Sequence, residues 1–400
     1  MNDSTGSRRT TEAVLLWLAV CFSLAAWSFL LSHGPALLVQ DFRAFYTAGH
    51  MLRHCPSLLF NLDAQQKWQH DVIGGAGLLP FFHPAYETLL YAPLSLLPFK
   101  AAYAVYAVWN MVLLWLCYLA SPVGNSGFSQ LRRRPLLFFL SFPLLLTIFV
   151  GQNSLLLLLA LCLVYNALSK DQDGRAGVLL GLITFKLATI VPLAFLLCIR
   201  RGRRFLAGFA LTFAAVMALS VWITGVSATR EFLHLLAGAT LASDHSVQSQ
   251  RHAAVWLHAM PNLEGLLYLC GSGHLAPHAA FALNATLTLL ILAAGAYLVR
   301  RATRESTAFS AAILCAVLVS PHLYIYDFAA LVLPLLLLQH RWLKYVAALW
   351  FTLPPLLYAI GFLTWFAPAV AIPLLLLALC MAQFRREQSQ STPAASTAPA

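Results

Sequence analysis

Four short segments of the 400-residue sequence set ionisable side chains against apolar runs. They are Asp41 and Arg43 at the head of DFRAFYTAGHMLRH, His83 and Glu87 in FFHPAYETLLYAPLSLLPF, Lys186 in GLITFK, and His322, Tyr326 and Asp327 in SPHLYIYDF. A further polar turn, VGQNSL, adds Gln152 and Asn153. A charged group at membrane depth costs about 2.5–3.5 kcal/mol on insertion scales, which makes each of these residues a functional candidate. A carboxylate can accept the proton of a hydroxyl, and an ammonium can hold an anion as a point charge.

Each residue also has a plainer role. Phe42, Phe45, Gly49 and Leu52 recur at near-helical spacing, predicting an amphipathic helix on the outer leaflet with Asp41 at its start, where an N-cap is favoured. Pro84, Pro93 and Pro98 break the second segment, and His83 could bond backbone that Pro84 exposes. Lys186 lies midway along 174–204, whose halves are too short to cross a bilayer at about 1.5 Å per residue. The lysine then sits in a recess or snorkels to the headgroups. Gln152 and Asn153 could bond hydroxyls or cap the next helix. Asp327 needs a cation, a sugar hydroxyl or a structural partner on a neighbouring helix. His50 and His54 have the i,i+4 spacing of metal ligands without an evident third ligand, so no metal is expected. The eight cysteines contain no Cys-x-x-Cys, and only Cys55 and Cys270 fall in segments where pairing is conceivable.

The elements that must position these groups are apolar helices. Hydrophobic residues make up 60% of the chain and charged residues 10%, which excludes a water-facing globule. Continuous apolar runs rather than alternating ones exclude a membrane barrel. The runs predict spans at 12–32, 99–120, 135–150, 154–169, 175–186, 188–199, 205–225, 279–299, 306–320, 323–339, 345–362 and 366–384, an all-α polytopic bundle of about twelve (10–13) helices. The formal charge of +11 would suggest nucleic acid in a soluble protein. Here every basic cluster, 18 of 25 Lys and Arg, falls on one side of a twelve-pass topology. That side is the cytoplasm, and no nucleic acid is expected. The chain divides into a cytoplasmic segment 1–11, one membrane-embedded domain 12–384 with outer loops 33–98 and 226–278, and a disordered tail 385–400.

DFRAFYTAG, LFNLDAQQ, FFHPAYETLLYAPLSLLPF, VGQNSLLLLL, GLITFK and SPHLYIYDF, in this order and spacing over residues 41–340, resemble glycosyltransferase family 87, polyprenyl-phosphate-sugar enzymes of the C-type superfamily. The resemblance implies a multi-pass C-type bundle in the bacterial cytoplasmic membrane and inverting transfer of a sugar, often mannose, outside the cytoplasm. The partners are a polyprenyl-phosphate sugar donor, a lipid or glycan acceptor and membrane lipids, with no cofactor. Asp41 matches the family's general base, Lys186 its hairpin lysine, and His322, Tyr326 and Asp327 its SPH and YD positions. Lys186, His322 and Arg43 are then assigned to the donor phosphate, and His83, Glu87, Gln152, Asn153, Tyr326 and Asp327 to sugar or acceptor. Leu187 and Ala188 stand where Pro and Gln commonly follow the lysine, and Ala85 where a second proline is usual.

A transporter or lipid flippase would also keep charges in its spans, but would show inverted repeats and midplane sites. No duplication is visible, and the polar groups gather on one face. A polymerase using diphosphate-linked donors would need a larger cationic cluster than Lys186, Arg43 and His322.

Overall fold

The computed structural model describes residues 40–74, 78–122, 134–240, 257–271, 274–361 and 365–391. Segment 1–11, the predicted span 12–32 and the last nine residues of the tail lie outside the described residues. Every regular element among those described is helical. The chain runs through α1 (Gln40–His54) and α2 (Leu62–Ile73), then the proline-broken stretch 78–98, into α3 (Phe99–Ala120). α4 (Arg134–Phe139) and α5 (Phe142–Val150) are one apolar run divided at Ser141, because Pro143 has no amide to continue the ladder. α6 (Ser154–Leu168) and α7 (Asp173–Leu182) follow, and the 3-10 turn Thr184–Lys186 leads into α8 (Leu187–Thr240). Non-helical backbone at Gly202 and Gly225 folds α8 into limbs 187–201, 203–224 and 226–240. The short α9 (Leu263–Leu269) precedes α10 (Pro277–Arg301) and α11 (Glu305–Val319). The turn Ile325–Leu331 enters α12 (Val332–Leu337), and α13 (Leu343–Gly361) and α14 (Ala371–Ser391) complete the chain.

Five helical stretches are long and apolar enough to cross a membrane: Phe99–Ala120, Thr184–Ala237, His278–Arg301, Leu343–Gly361 and Ala367–Gln390. The other predicted spans that are described are shorter apolar helices. They differ in burial as well as length. α5 and α12 are buried throughout, and α11 is buried from Thr307 to Val319. The long helices expose large apolar side chains, among them Met111 and Trp115 of α3, Leu211 and Trp222 of α8, Leu289 of α10 and Ile360 of α13. A helix that is apolar all round must be covered by protein or by lipid. The short helices take the first course and the long ones the second, and the molecule is an all-α membrane protein.

Two expectations are corrected. α1 does not lie on a leaflet surface: Phe42, Ala44, Phe45, Tyr46, Thr47, Ala48 and Met51 are all buried. Its small residues admit close neighbours. At Gly49 an added Cβ would sit 2.6 Å from the Tyr91 carbonyl oxygen. The tail also begins later than predicted. Helix α14 continues to Ser391, held by a buried Glu387 that accepts from Thr307 Oγ1 (2.6 Å) and Thr303 Oγ1 (3.1 Å). Within the predicted outer loop 226–278, residues 226–240 continue α8 as helix.

One end of the bundle is fastened by arginines. Arg200 Nε contacts Glu305 Oε2 at 2.9 Å and Arg201 Nη2 contacts the same oxygen at 2.7 Å, while Arg201 also reaches Asp171 and Asp173. From there the first limb of α8 and the 15-residue α11 run side by side to Lys186 and Ser320. At 1.5 Å per residue that is roughly 22 Å.

Candidate functional site

The site is assembled around the turn between α5 and α6. Gly151 ends α5 in the left-handed conformation (φ 73°), its N–H returning to the Ile148 and Thr147 carbonyls. An added Cβ there would lie 2.5 Å from Phe42 Cβ, so the turn packs directly on α1. Gly151→Ala meets both the left-handed penalty, about 1–2 kcal/mol, and this contact. A lower melting temperature than wild type in detergent is the expected result, measured by intrinsic fluorescence.

That turn delivers Gln152 to the first turn of α1. Gln152 Nε2 donates to Asp41 Oδ2 at 2.9 Å and to Tyr326 Oη at 3.2 Å, while its Oε1 accepts from Lys186 Nζ at 3.4 Å. One buried amide therefore joins the carboxylate of α1, the ammonium of the α7–α8 turn and the phenol of the 325–331 turn. Asp41 is not spent on capping its own helix. Burial pushes its carboxyl above the usual carboxylate range, and the Gln152 amide, the Lys186 charge and the Tyr326 hydroxyl act against that rise without cancelling it.

Lys186 is paired. Its Nζ lies 2.9 Å from Asp327 Oδ1, with 12% and 6% of the two side chains exposed, and 5.4 Å from the centre of the Tyr326 ring. Asp327 is held in turn by Ser154 Oγ (2.8 Å) and the Tyr324 amide (3.3 Å). An ammonium has three donors, and Asp327 and Gln152 engage two of them.

Asn153 opens a second group behind the first. It precedes α6 but makes no side-chain cap. Its amide instead bonds Glu87, whose other oxygen contacts His83 Nδ1 at 2.5 Å and which also accepts from Tyr91 Oη at 3.1 Å. Glu87 is buried, so His83 is oriented by a carboxylate rather than by the backbone beside Pro84.

Arg43 is half-buried on α1, two positions beyond Asp41. His322 Nδ1 is buried without a hydrogen-bond partner among the described residues, and its ring packs against Phe82 and Tyr324. Burial, then the Lys186 charge, lower the His322 pKa to about 4. That shift disfavours a charged ring, so His322 suits the role of an N–H donor better than that of a second cation. His50 and His54 stack on Trp68, and no group of three His, Cys, Asp or Glu residues among those described could hold a metal. Cys55 and Cys270 are both free.

The sequence reading missed Ser154, Tyr91 and Asn262. Asn262 donates to the Ser320 carbonyl (2.7 Å) while accepting from Gly265 N (2.9 Å), and so ties α9 to the loop that carries His322. Ser154 directly follows Gln152 and Asn153, and that adjacency was the available signal. Tyr91 and Asn262 are uncharged, and the asparagine's place before a helix signals a cap rather than a bond to the Ser320 loop.

A carboxylate, a paired ammonium and a set of amide and hydroxyl donors thus converge in one buried hydrogen-bonded network. The sequence model of glycosyltransferase family 87 matches residues 81–321, more than half of the chain and all of the predicted site residues except Asp41, Arg43, His322, Tyr326 and Asp327. The chain belongs to glycosyltransferase family 87. No curated protein and no solved structure matches it. This family 87 member is a membrane glycosyltransferase, and it therefore takes a sugar donor and an acceptor. Asp41, outside the matched range, reaches the family's segment through Gln152 within it.

Proposed function

We propose that this chain transfers a hexose such as mannose from a polyprenyl-phosphate donor to a hydroxyl of a lipid or glycan acceptor, with inversion at the anomeric carbon. The proposed location is the outer face of a bacterial cytoplasmic membrane, in a bundle of about twelve helices. The observation that carries the reading is Gln152, which touches Asp41 and Lys186 at once. A proton acceptor and an ammonium are the two things that displacement of a phosphate by a hydroxyl requires.

In this reaction the acceptor oxygen forms a bond to the sugar C1 from the face opposite the phosphate. The C1–O bond to the polyprenyl phosphate breaks, its electron pair stays with the phosphate, and the acceptor proton passes to Asp41. Phosphate is already a good leaving group, so no acid is needed to expel it. Lys186 directs its third N–H to the departing oxygen, and Asp327 with Ser154 fixes where that N–H points. The His83–Glu87–Asn153 group orients sugar hydroxyls, and His322 adds a neutral donor. The outer location is supported by the arginine-fastened end lying a helix length away, since basic clusters mark the cytoplasmic side.

Membranes containing the protein, given radiolabelled polyprenyl-phosphate sugars in turn, should release label from one of them into an acceptor. Label that remains on every such lipid while wild-type protein is intact would remove the donor assignment.

The pH dependence follows from Asp41. The ionised carboxylate is the active form, so kcat/KM rises with pH through its pKa, which burial holds above the ordinary value of 3.8. The acid limb of the profile is expected above the normal carboxyl range. A limb at or below that range would contradict it.

A further inference from the structure

Residues 78–84 form no helix, and they carry His83 to the site. Leu79 and His83 each precede a proline, which biases both towards extended backbone. Two buried glutamines of α2, Gln65 and Gln69, flank this segment, and the proposed reaction uses neither. Gln69 meets both backbone groups of Leu79: its Oε1 accepts from the Leu79 amide at 3.0 Å and its Nε2 donates to the Leu79 carbonyl at 2.5 Å. Gln65 Oε1 accepts from the Phe81 amide at 2.8 Å, while its Nε2 donates to the Leu59 carbonyl at 2.8 Å.

The spacing of these bonds decides what they do. Four residues along α2 rise about 6 Å, and two residues of chain cover that distance only when nearly extended, at roughly 3.3 Å each. The two glutamines therefore fit Leu79 and Phe81 in one register. Pro80, between the bonded residues, has no amide, so the fastening falls to its two neighbours. In an extended chain alternate side chains share a face. Phe81 and His83 do so here, with ring centres 5.6 Å apart, and both rings meet Phe45, at 6.1 and 5.3 Å. Phe82 turns the other way onto His322, with 6.5 Å between ring centres. One face of the segment thus carries His83 to Glu87, and the other meets His322. A slip of one residue would exchange the faces and put a phenyl ring where the imidazole meets Glu87.

We infer that Gln65 and Gln69 are positioning residues for the sugar site: they fix the register of residues 79–81 and so hold the His83 imidazole towards the donor sugar. The inference rests on the reading of His83 as a partner of sugar hydroxyls and adds what sets its place. Neither glutamine touches the reacting atoms.

The test uses the full chain in nanodiscs with polyprenyl-phosphate mannose and its C2 epimer, polyprenyl-phosphate glucose, as donors. Gln69→Met keeps the bulk of the side chain and removes both bonds to Leu79. It should reduce the kcat/KM preference for the better epimer about tenfold, as His83→Ala does, and the two changes together should lose no more than either alone. Gln66→Met, on the same helix but exposed, should keep the wild-type preference. Equal loss with both epimers in a monodisperse Gln69→Met protein means a purely structural role and overturns the inference. Losses that multiply when Gln69→Met and His83→Ala are combined overturn it too. A second measurement needs no donor. Carbethoxylation of His83 by diethyl pyrocarbonate, read by mass spectrometry against the exposed His274, should speed up several-fold in Gln69→Met, because a slipped ring leaves Glu87. An unchanged rate at His83 overturns the register assignment. A wild type that uses neither donor removes the donor reading, and one without preference, or a His83→Ala protein that keeps it, removes the sugar role of His83. In each of these cases the carbethoxylation rate still decides whether the glutamines place His83.

Discussion

Asp41→Asn is expected to lower the transfer rate by about 10²–10⁴, the usual range for loss of a general base, and to raise the melting temperature at the same time. The two effects have one cause. Burial raises the Asp41 pKa, so the carboxyl's favourable contribution to folding is complete below the unfolded pKa and is lost as pH rises through the folded value. At neutral pH the ionised group is a cost that the neutral amide removes. The Asn side-chain carbonyl can still accept from Gln152 Nε2, so the turn on α1 is kept. Had Asp41 only a structural role, rate and stability would fall together. Thermal melts at pH 7 beside single-turnover transfer would separate the cases, and a wild-type rate in the variant would end the assignment of Asp41 as base.

The second large effect is expected at Lys186. Lys186→Met removes the charge that in the proposed reaction faces the departing phosphate, a loss of about 10²–10³ in rate by analogy with other electrostatic donors. It also leaves Asp327 buried without its cation, and breaking a buried pair from one side costs about 3–5 kcal/mol. The double variant Lys186→Met, Asp327→Asn discharges that carboxylate. It should regain most of the lost thermal stability and none of the activity. Recovery of transfer in the double variant would show that Lys186 serves only to neutralise Asp327.

The positions of the chemistry were legible, because charge beside an apolar run is conspicuous: Asp41, His83, Glu87, Lys186 and Asp327 each stand out in that way. The pairing was not. Nothing in the spacing says that Lys186 meets Asp327 and that Asp41 meets Gln152, since both contacts join segments more than 100 residues apart. Nor does spacing reveal that a charged His322 ring is disfavoured, which depends on how deeply Phe82 and Tyr324 enclose it. For the fold, short runs such as 135–150 and 306–320 were visible as apolar and too short. Their enclosure by longer helices is a tertiary fact. The burial of α1 was hidden for a related reason. Its spacing marks an apolar face, and whether that face meets lipid or protein is decided by the stretch around Tyr91, which closes on Phe45 and Gly49. In the tail, one buried acid, Glu387, kept seven further residues helical that composition assigned to disorder.

The two antiparallel helices that join the arginine-fastened end to the turn bearing Lys186 carry a consequence for the host membrane. At roughly 22 Å they are shorter than a hydrocarbon core of about 30 Å. The longer lipid-facing helices, such as the 22-residue α3, match that core, so the bilayer keeps its thickness and the shorter pair ends below its surface. A headgroup would then have to sink below the level of its neighbours to reach the ammonium, by a depth that the length of these two helices sets.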